Sequence, residues 1–303
     1  MPDTRYGTVA LVGRPNAGKS TLLNRLLAEK VAIVSDKPQT TRHRMIGILT
    51  RPQGQIVFLD TPGIHRPLHR LNRQMMLHAE EALRDADVIC VLHDASSRFG
   101  SGDAQLLDRV RALRIPRLAV LNKIDRVHKP ALLPLIARFA ESDCFDEVVP
   151  LSALTGEGCD TLESLLWQRL PPGAPLYGPE WITLHSQRFL AAERIREQLL
   201  TQVRDELPYT TAVALEHWQD DGEPPAPVEI HASILVERPG QRKIVVGQAG
   251  TRIKAIGTAA RQELTDLLDR PVRLFLFVRV EEGWREDERL LADLDRDVLS
   301  TET

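Results

Sequence analysis

Two glycines, a lysine and a hydroxyl stand in a fixed order in Gly13-Arg14-Pro15-Asn16-Ala17-Gly18-Lys19-Ser20, directly after a β-branched run and before an apolar helical stretch. Glycine lets backbone N–H groups approach an anion closely, and lysine carries positive charge to its terminal oxygens. Ser20 and Thr21 open a helix whose free N-terminal amides favour the same anion. The spacing is that of a polyphosphate-binding loop, with the Ser20 hydroxyl expected on magnesium. Asp60-Thr61-Pro62-Gly63-Ile64 follows a later strand candidate, where Asp60 suits the metal and the Gly63 N–H suits a terminal phosphate. Between the two lies Gln39-Thr40-Thr41-Arg42-His43. Thr41 is assigned to the metal and Thr40 to support of the loop backbone. Lys19, Thr41 and Gly63 are the candidate catalytic groups, because each would meet charge that develops on a transferring phosphoryl group.

A second set of residues reads a base. Asn122-Lys123-Ile124-Asp125 ends another strand candidate, and a carboxylate there can accept both N1–H and the exocyclic amine of guanine, donors that adenine lacks in that arrangement. Ser152-Ala153, after the next strand, would offer a backbone N–H to the guanine oxygen. GTP and GDP with Mg2+ are therefore the expected ligands. After Gly63, a Ras-type enzyme would place a glutamine to orient the attacking water, and this chain has Ile64, which predicts slow intrinsic hydrolysis. Two readings of Asn16 stand side by side: a bridge for K+ to the phosphates, or a brace for the loop.

These loops need a scaffold that brings them to one edge. Over Thr8 to Leu170, short β-branched runs alternate with helical stretches, which predicts a mostly parallel sheet with helices on both faces. The run MIGILT lies so close to IVFLD that the two read as a hairpin, making the sheet mixed. At 303 residues the chain exceeds one usual domain, and 43% apolar with 27% charged residues is ordinary for a folded protein. Net charge of -3 gives no global pull on polyanions. Cys90, Cys144 and Cys159 are scattered and odd in number, which suits free thiols and a cytosolic setting. No apolar run approaches the roughly 20 residues that span a bilayer.

Prolines and glycines crowd the segment after Leu170, so residues 5–172 are read as the first domain and 173–186 as a semi-rigid linker. Residues 187–283 are a second, α+β domain, and residues 284–303 a terminal helix and tail. The second domain is read as a helix over Gln187–Glu206, strands over Ala212–His217 and Val228–Val236, a short strand over Lys243–Val246, a helix from Thr251 and a strand over Val272–Val280. Between the short strand and the helix stands Gly247-Gln248-Ala249-Gly250, with Arg238, Arg242, Lys243, Arg252 and Lys254 around it and no acidic residue within that stretch. A GxxG turn lets backbone approach the sugar-phosphate chain of unpaired nucleotides while the cations neutralise phosphates. Leu274 to Val278 reads as a buried strand, whose aromatic rings need no stacked base. His65 and His69 have the spacing of a helical metal pair but fall among cations in a loop. Trp284 with the acidic stretch Glu286–Asp297 reads as one amphipathic helix.

Taken in order, GRPNAGKSTLLN, QTTRHR, DTPGIH, NKID, LSALTGEG, SQRF, LPY, ILVER and IKAIG resemble the Era family of bacterial GTPases over nearly the full chain. The resemblance implies an α/β P-loop GTPase domain with a mixed, mostly parallel sheet, followed by an α+β KH domain of the second topological type. It further implies GTP-dependent binding near the 3′ end of 16S ribosomal RNA and assistance to maturation of the small (30S) ribosomal subunit. A cytoplasmic monomer with peripheral contact to the inner face of the cell membrane is the corresponding setting. Two rivals come from other classes: a GTP-responsive scaffold that does not hydrolyse, and a membrane-surface GTPase whose second domain binds lipid or protein. Gln248-Ala249 departs from the family by lacking a basic residue inside the GxxG turn, which shifts the expected RNA contact towards Arg252 and Lys254.

Overall fold

The structure, a computed structural model, describes residues 4–37, 39–63, 69–220, 222–296 and 298–299. The chain divides into two compact units, the second beginning at His185 and also taking in His69–Leu71.

The first unit runs β1 (Arg5–Gly13), α1 (Lys19–Leu27), β2 (Met45–Arg51), β3 (Gly54–Asp60), α2 (Arg70–Arg84) and β4 (Val88–Asp94). It continues with α3 (Ser101–Arg111), β5 (Arg117–Asn122), α4 (Lys129–Ala140), β6 (Glu147–Pro150) and α5 (Cys159–Arg169). The sheet order is β2-β3-β1-β4-β5-β6, parallel throughout except for the antiparallel β2–β3 hairpin. Strands covered on both faces must be apolar along their whole length. Accordingly Val9 to Val12 and Leu118 to Leu121 are completely buried. Because β1 pairs with β3 on one side and β4 on the other, chain direction switches at its carboxyl end. Ligands of open α/β sheets bind at such a point. The loops after β1, β3, β5 and β6 carry the four sequence motifs to that one edge.

The Pro/Gly-rich segment behaves differently from a spacer. Gln55, buried on β3, accepts from Leu176 N at 3.0 Å and Tyr177 N at 2.9 Å and donates to Tyr177 O at 2.9 Å. Ile48 N donates to Ile182 O at 2.7 Å, and Thr183 Oγ1 to Ile46 O at 2.6 Å. The segment thus bonds the outer edge of β2 at Ile46 and Ile48, an edge that would otherwise invite pairing with another chain.

The second unit contains α6 (Gln187–Gln202), α7 (Leu207–Thr210), β7 (Ala212–Gln219), β8 (Val228–Val236), α8 (Pro239–Val246), α9 (Thr251–Leu268), β9 (Val272–Val280) and α10 (Glu288–Asp295). Its sheet is β7-β8-β9, antiparallel and then parallel. Ile195, Leu199 and Val203 of and after α6 meet Ile230 and Ile234 of β8 and Ile256, Ala260 and Leu264 of α9 in one core. That core, not a membrane surface, takes the apolar face of α6.

Four local expectations are corrected. Lys243–Val246 is the end of helix α8 and not a strand. Pro239 fits the helix start, Gln241 Oε1 accepts from Arg238 N at 3.1 Å, and Gly247 at φ 75 ends the helix. These terminal signals override the β-branched run Ile244-Val245-Val246. The GxxG turn therefore joins two helices. Helix α6 stops at Gln202, where Val203 is already extended. On β9 only alternate residues face inward: Phe275 and Phe277 are 44% and 53% exposed, and the Phe275 ring lies 4.6 Å from that of His231 on β8. Trp284 precedes the terminal helix and is buried, with Nε1 donating to Thr210 O at 3.0 Å. Helix α10 itself starts at Glu288, capped by Asp287 through the N–H groups of Arg289 and Leu290. Among the described residues, no helix is long and apolar enough to cross a membrane.

Candidate functional site

Between β1 and α1 the backbone must curl tightly enough to aim several N–H groups at one point. Asn16 at φ 62 and Gly18 at φ 92 provide the left-handed steps. A Cβ on Gly18 would stand 2.2 Å from Asn122 Nδ2, so glycine is required there for room as well as for conformation. Lys19 is buried, its Nζ 3.4 Å from Gly13 O and 3.3 Å from Arg14 O. Burial lowers its pKa, opposed by the charge of Asp60. A desolvated ammonium resting on two carbonyls is well placed to gain from an incoming anion.

Three oxygens from three segments meet beside it. Ser20 Oγ donates to Asp60 Oδ2 at 2.6 Å and lies 2.9 Å from Thr41 Oγ1. Asp60 is fully buried, and its Oδ1 has no hydrogen-bond partner among the described residues. Burial pushes the Asp60 carboxyl up to about 6, against the opposing effects of Lys19, Ser20 and the Thr61 amide. Two hydroxyls and a carboxylate with an unused oxygen are hard donors that fit magnesium. Among the described residues no cluster of three His, Cys, Asp or Glu competes for a metal. Thr40 Oγ1 donates to Lys37 O at 2.6 Å, away from this cluster. Asn16 Nδ2 donates to Asp36 O at 2.8 Å, which braces the loop against the segment leading to Thr41.

Thr61 anchors the third motif, its Oγ1 donating to Leu11 O at 3.0 Å. Pro62 is buried, and a Cβ on Gly63 would meet Pro15 N at 2.7 Å, so the two loops touch at a spot only glycine allows. Ile64 and His65 lie outside the described residues.

Asn122 ties the loops after β5 and β6 to the loop after β1. It is buried, donates from Nδ2 to Ala17 O at 2.9 Å, and accepts at Oδ1 from Lys123 N at 2.8 Å and Ala153 N at 2.9 Å. Lys123 takes a left-handed turn at φ 65 and lays its Nζ 2.6 Å from Asn16 O and 2.7 Å from Asp94 Oδ2. Burial would raise the Asp94 pKa, yet the bonds from Lys123 and Ser96 outweigh it and hold the carboxyl low. Ile124 begins a single helical turn that carries Asp125, exposed and receiving Ser152 Oγ at 2.5 Å. Sequence reasoning did not find Arg25, whose Nε donates to Ala153 O at 3.1 Å and pins the last loop to α1. Its place one helical turn beyond Thr21 was the available signal.

In the second unit, Gly247 at φ 75, Ala249 at φ 48 and Gly250 at φ 78 form the turn between α8 and α9. Gln248 and Ala249 are exposed at its tip. A Cβ on Gly247 would stand 2.8 Å from Arg252 Cβ, whereas one on Gly250 would meet open space. Arg238, Lys243 and Lys254 are exposed on the flanks, and the Arg252 guanidinium closes back on Ile244 O. The turn therefore presents bare backbone with cations on either side, and Arg252 serves partly to hold its shape.

The Gly13–Ser20 loop at the switch point of a mixed sheet, the Asn122–Asp125 turn beside it and a GxxG turn in a separate α+β unit define a P-loop GTPase domain joined to a KH domain. Residues 8–123 match the family described as 50S ribosome-binding GTPase, and residues 206–285 match the KH domain. The chain is 47% identical to GTPase Era of Ectopseudomonas mendocina over 97% of both chains. It is 46% identical to GTPase Era of Geobacter metallireducens, over 96% of this chain and 97% of the relative. It superposes with a TM-score of 0.92 and 38% identity on Era in complex with MgGDPNP and nucleotides 1506–1542 of 16S ribosomal RNA, covering 96% of this chain and 98% of the other. A variant of Aquifex aeolicus Era bound to GDP.AlF4- gives the same TM-score and identity. The chain belongs to the Era family of GTPases.

Proposed function

We propose that this chain binds GTP and GDP with magnesium at the Gly13–Thr21 loop, hydrolyses GTP slowly, and uses the nucleotide state to control a hold on 16S ribosomal RNA near its 3′ end. The observation that carries the reading is the meeting of Lys19, Ser20, Thr41 and Asp60 at the switch point, a buried cation beside three hard oxygens. Ser20, Thr41 and Asp60 are the residues that would hold magnesium, which when bound neutralises charge on the β and γ phosphates. Lys19 exchanges its two carbonyl partners for phosphate oxygens, and the backbone from Gly13 to Thr21 supplies N–H donors. Asp60-Thr61-Pro62-Gly63 presents its last N–H to the terminal phosphate. Asn122, Lys123, Ile124 and Asp125 with Ser152 and Ala153 form the guanine pocket, in which Asp125 is the reader and Asn122 the staple.

The GxxG turn with Arg238, Lys243 and Lys254 binds unpaired ribosomal RNA, and the activity serves maturation of the small ribosomal subunit. The relative solved with 16S ribosomal RNA supports that choice of nucleic acid. In this reading the chain works as a cytoplasmic monomer that touches the inner membrane surface only peripherally. Phosphate release from GTP, measured with and without the 3′ end of 16S ribosomal RNA, tests the proposal. Slow release that changes with RNA is expected, whereas no release under either condition leaves a non-hydrolysing scaffold.

A further inference from the structure

The Arg14 side chain leaves the phosphate loop towards helix α3, and what it reaches there has no part in the function proposed above. Its Nη1 lies 3.1 Å from Asp103 Oδ2 in the first turn of α3. Asp103 is a buried hub: the same oxygen accepts from Gly100 N at 2.8 Å, and Oδ1 lies 3.0 Å from Nδ1 of His93, itself buried at the end of β4. The Asp103 side chain is 7% exposed and that of Arg14 45%. One end of the pair is therefore rigid and dry while the other reaches the surface. Meanwhile the Arg14 carbonyl receives Lys19 Nζ at 3.3 Å and Ala17 N at 3.3 Å. Holding the Arg14 side chain thus also holds the peptide on which the loop closes and on which the catalytic lysine rests.

We propose that Asp103 is a positioning residue for the phosphate loop: acting through Arg14, it fixes the curvature of the Gly13–Lys19 turn and so sets guanine-nucleotide affinity from helix α3. The inference rests on the nucleotide reading given above. A carboxylate locked by a helix-start amide and a buried imidazole has lost its freedom before Arg14 arrives, so the ion pair orders only one long side chain. Helix α3 and the nucleotide are then coupled through one contact, and displacement of α3 loosens the loop.

A mutant cycle on the full chain tests this, using a fluorescent GDP analogue to measure affinity and dissociation rate. Asp103→Asn and Arg14→Gln are each expected to weaken GDP binding about three- to tenfold, mainly through faster dissociation. The double variant is expected to be no weaker than the weaker single one, because both remove the same link. Asp103→Asn also loosens the start of α3, so Leu107→Val, which thins the α3 core without touching the hub, is the comparison: stability falls and GDP affinity stays at the wild-type value. Wild-type affinity in Asp103→Asn, losses that multiply in the double variant, or an equal loss in Leu107→Val would each overturn the proposal. A wild-type chain that takes up no GDP would instead overturn the nucleotide reading, and this inference with it.

Discussion

Replacing Asn122 by alanine should cost the chain both stability and nucleotide, because one buried amide joins three loops. The substitution removes a bond to Ala17 O at 2.9 Å and bonds from Lys123 N at 2.8 Å and Ala153 N at 2.9 Å. Ala153 is 2% exposed, so water cannot replace the lost acceptor, and an abandoned buried donor costs about 1–3 kcal/mol. The other two bonds contribute about 1 kcal/mol each, for a total of roughly 3–5 kcal/mol. Denaturant unfolding of the nucleotide-free chain should show that loss as a lower midpoint at unchanged slope. Since the tied loops are those proposed to cradle phosphate and read guanine, GTP affinity should also fall, by about ten- to a hundredfold for 1.4–2.8 kcal/mol of lost preorganisation. A titration with a fluorescent GTP analogue gives the answer. A variant destabilised by more than 2 kcal/mol that binds GTP within about twofold of wild type would refute the reasoning, because the staple would then serve the fold alone.

Further expectations follow from individual contacts. Asp125→Asn should move preference from GTP towards xanthosine triphosphate, whose extra carbonyl accepts from the new amide; competition binding reads the exchange. Burial places the Asp60 carboxyl at about 6, above its ordinary value, so the folded state holds that proton more tightly than the unfolded one. In magnesium-free buffer the stability linked to this group is complete below about pH 4 and is lost as pH rises through 6, a change of about 3 kcal/mol. Asp60→Asn should flatten that part of the profile and melt higher than wild type at pH 7.5 in a chelator, as followed by circular dichroism. Gly247→Asp needs a side chain where φ is 75 and Arg252 is 2.8 Å from a Cβ, and it adds negative charge beside the expected phosphates. It should weaken binding of a single-stranded 16S fragment at least tenfold in an electrophoretic shift while leaving GTP affinity unchanged.

The first half of the chain was legible because its chemistry is sequential. All its motifs but Gln39–His43, which follows helix α1, come directly after the strand that positions them, and the near-continuous apolar runs mark those strands. The spatial cross-links were not legible: Asn122 to Ala17, Lys123 to Asp94 and Arg14 to Asp103 join residues far apart in sequence. Gln55 carried no sign that it would bind residues 176 and 177, so a docked segment read as a spacer. In the second half, Ile244-Val245-Val246 carried strand propensity into a helix, since Pro239 and Gly247 set the ends and burial of Val245 rewards the helical face. The run Leu274 to Val278 has the unbroken hydrophobicity of a central, buried strand. Its alternation is between leucines packed on α9 and phenylalanines beside solvent, both apolar, so no polarity pattern revealed it.

Calorimetric titration of the intact, nucleotide-free chain with GTP, GDP and ATP in magnesium tests the central claim most directly. One saturable site for GTP and GDP, lost with Ser20→Ala in place of the magnesium hydroxyl, and no heat of binding with ATP, is the result the account predicts. No uptake of either guanine nucleotide, or ATP bound as tightly as GTP, would contradict it.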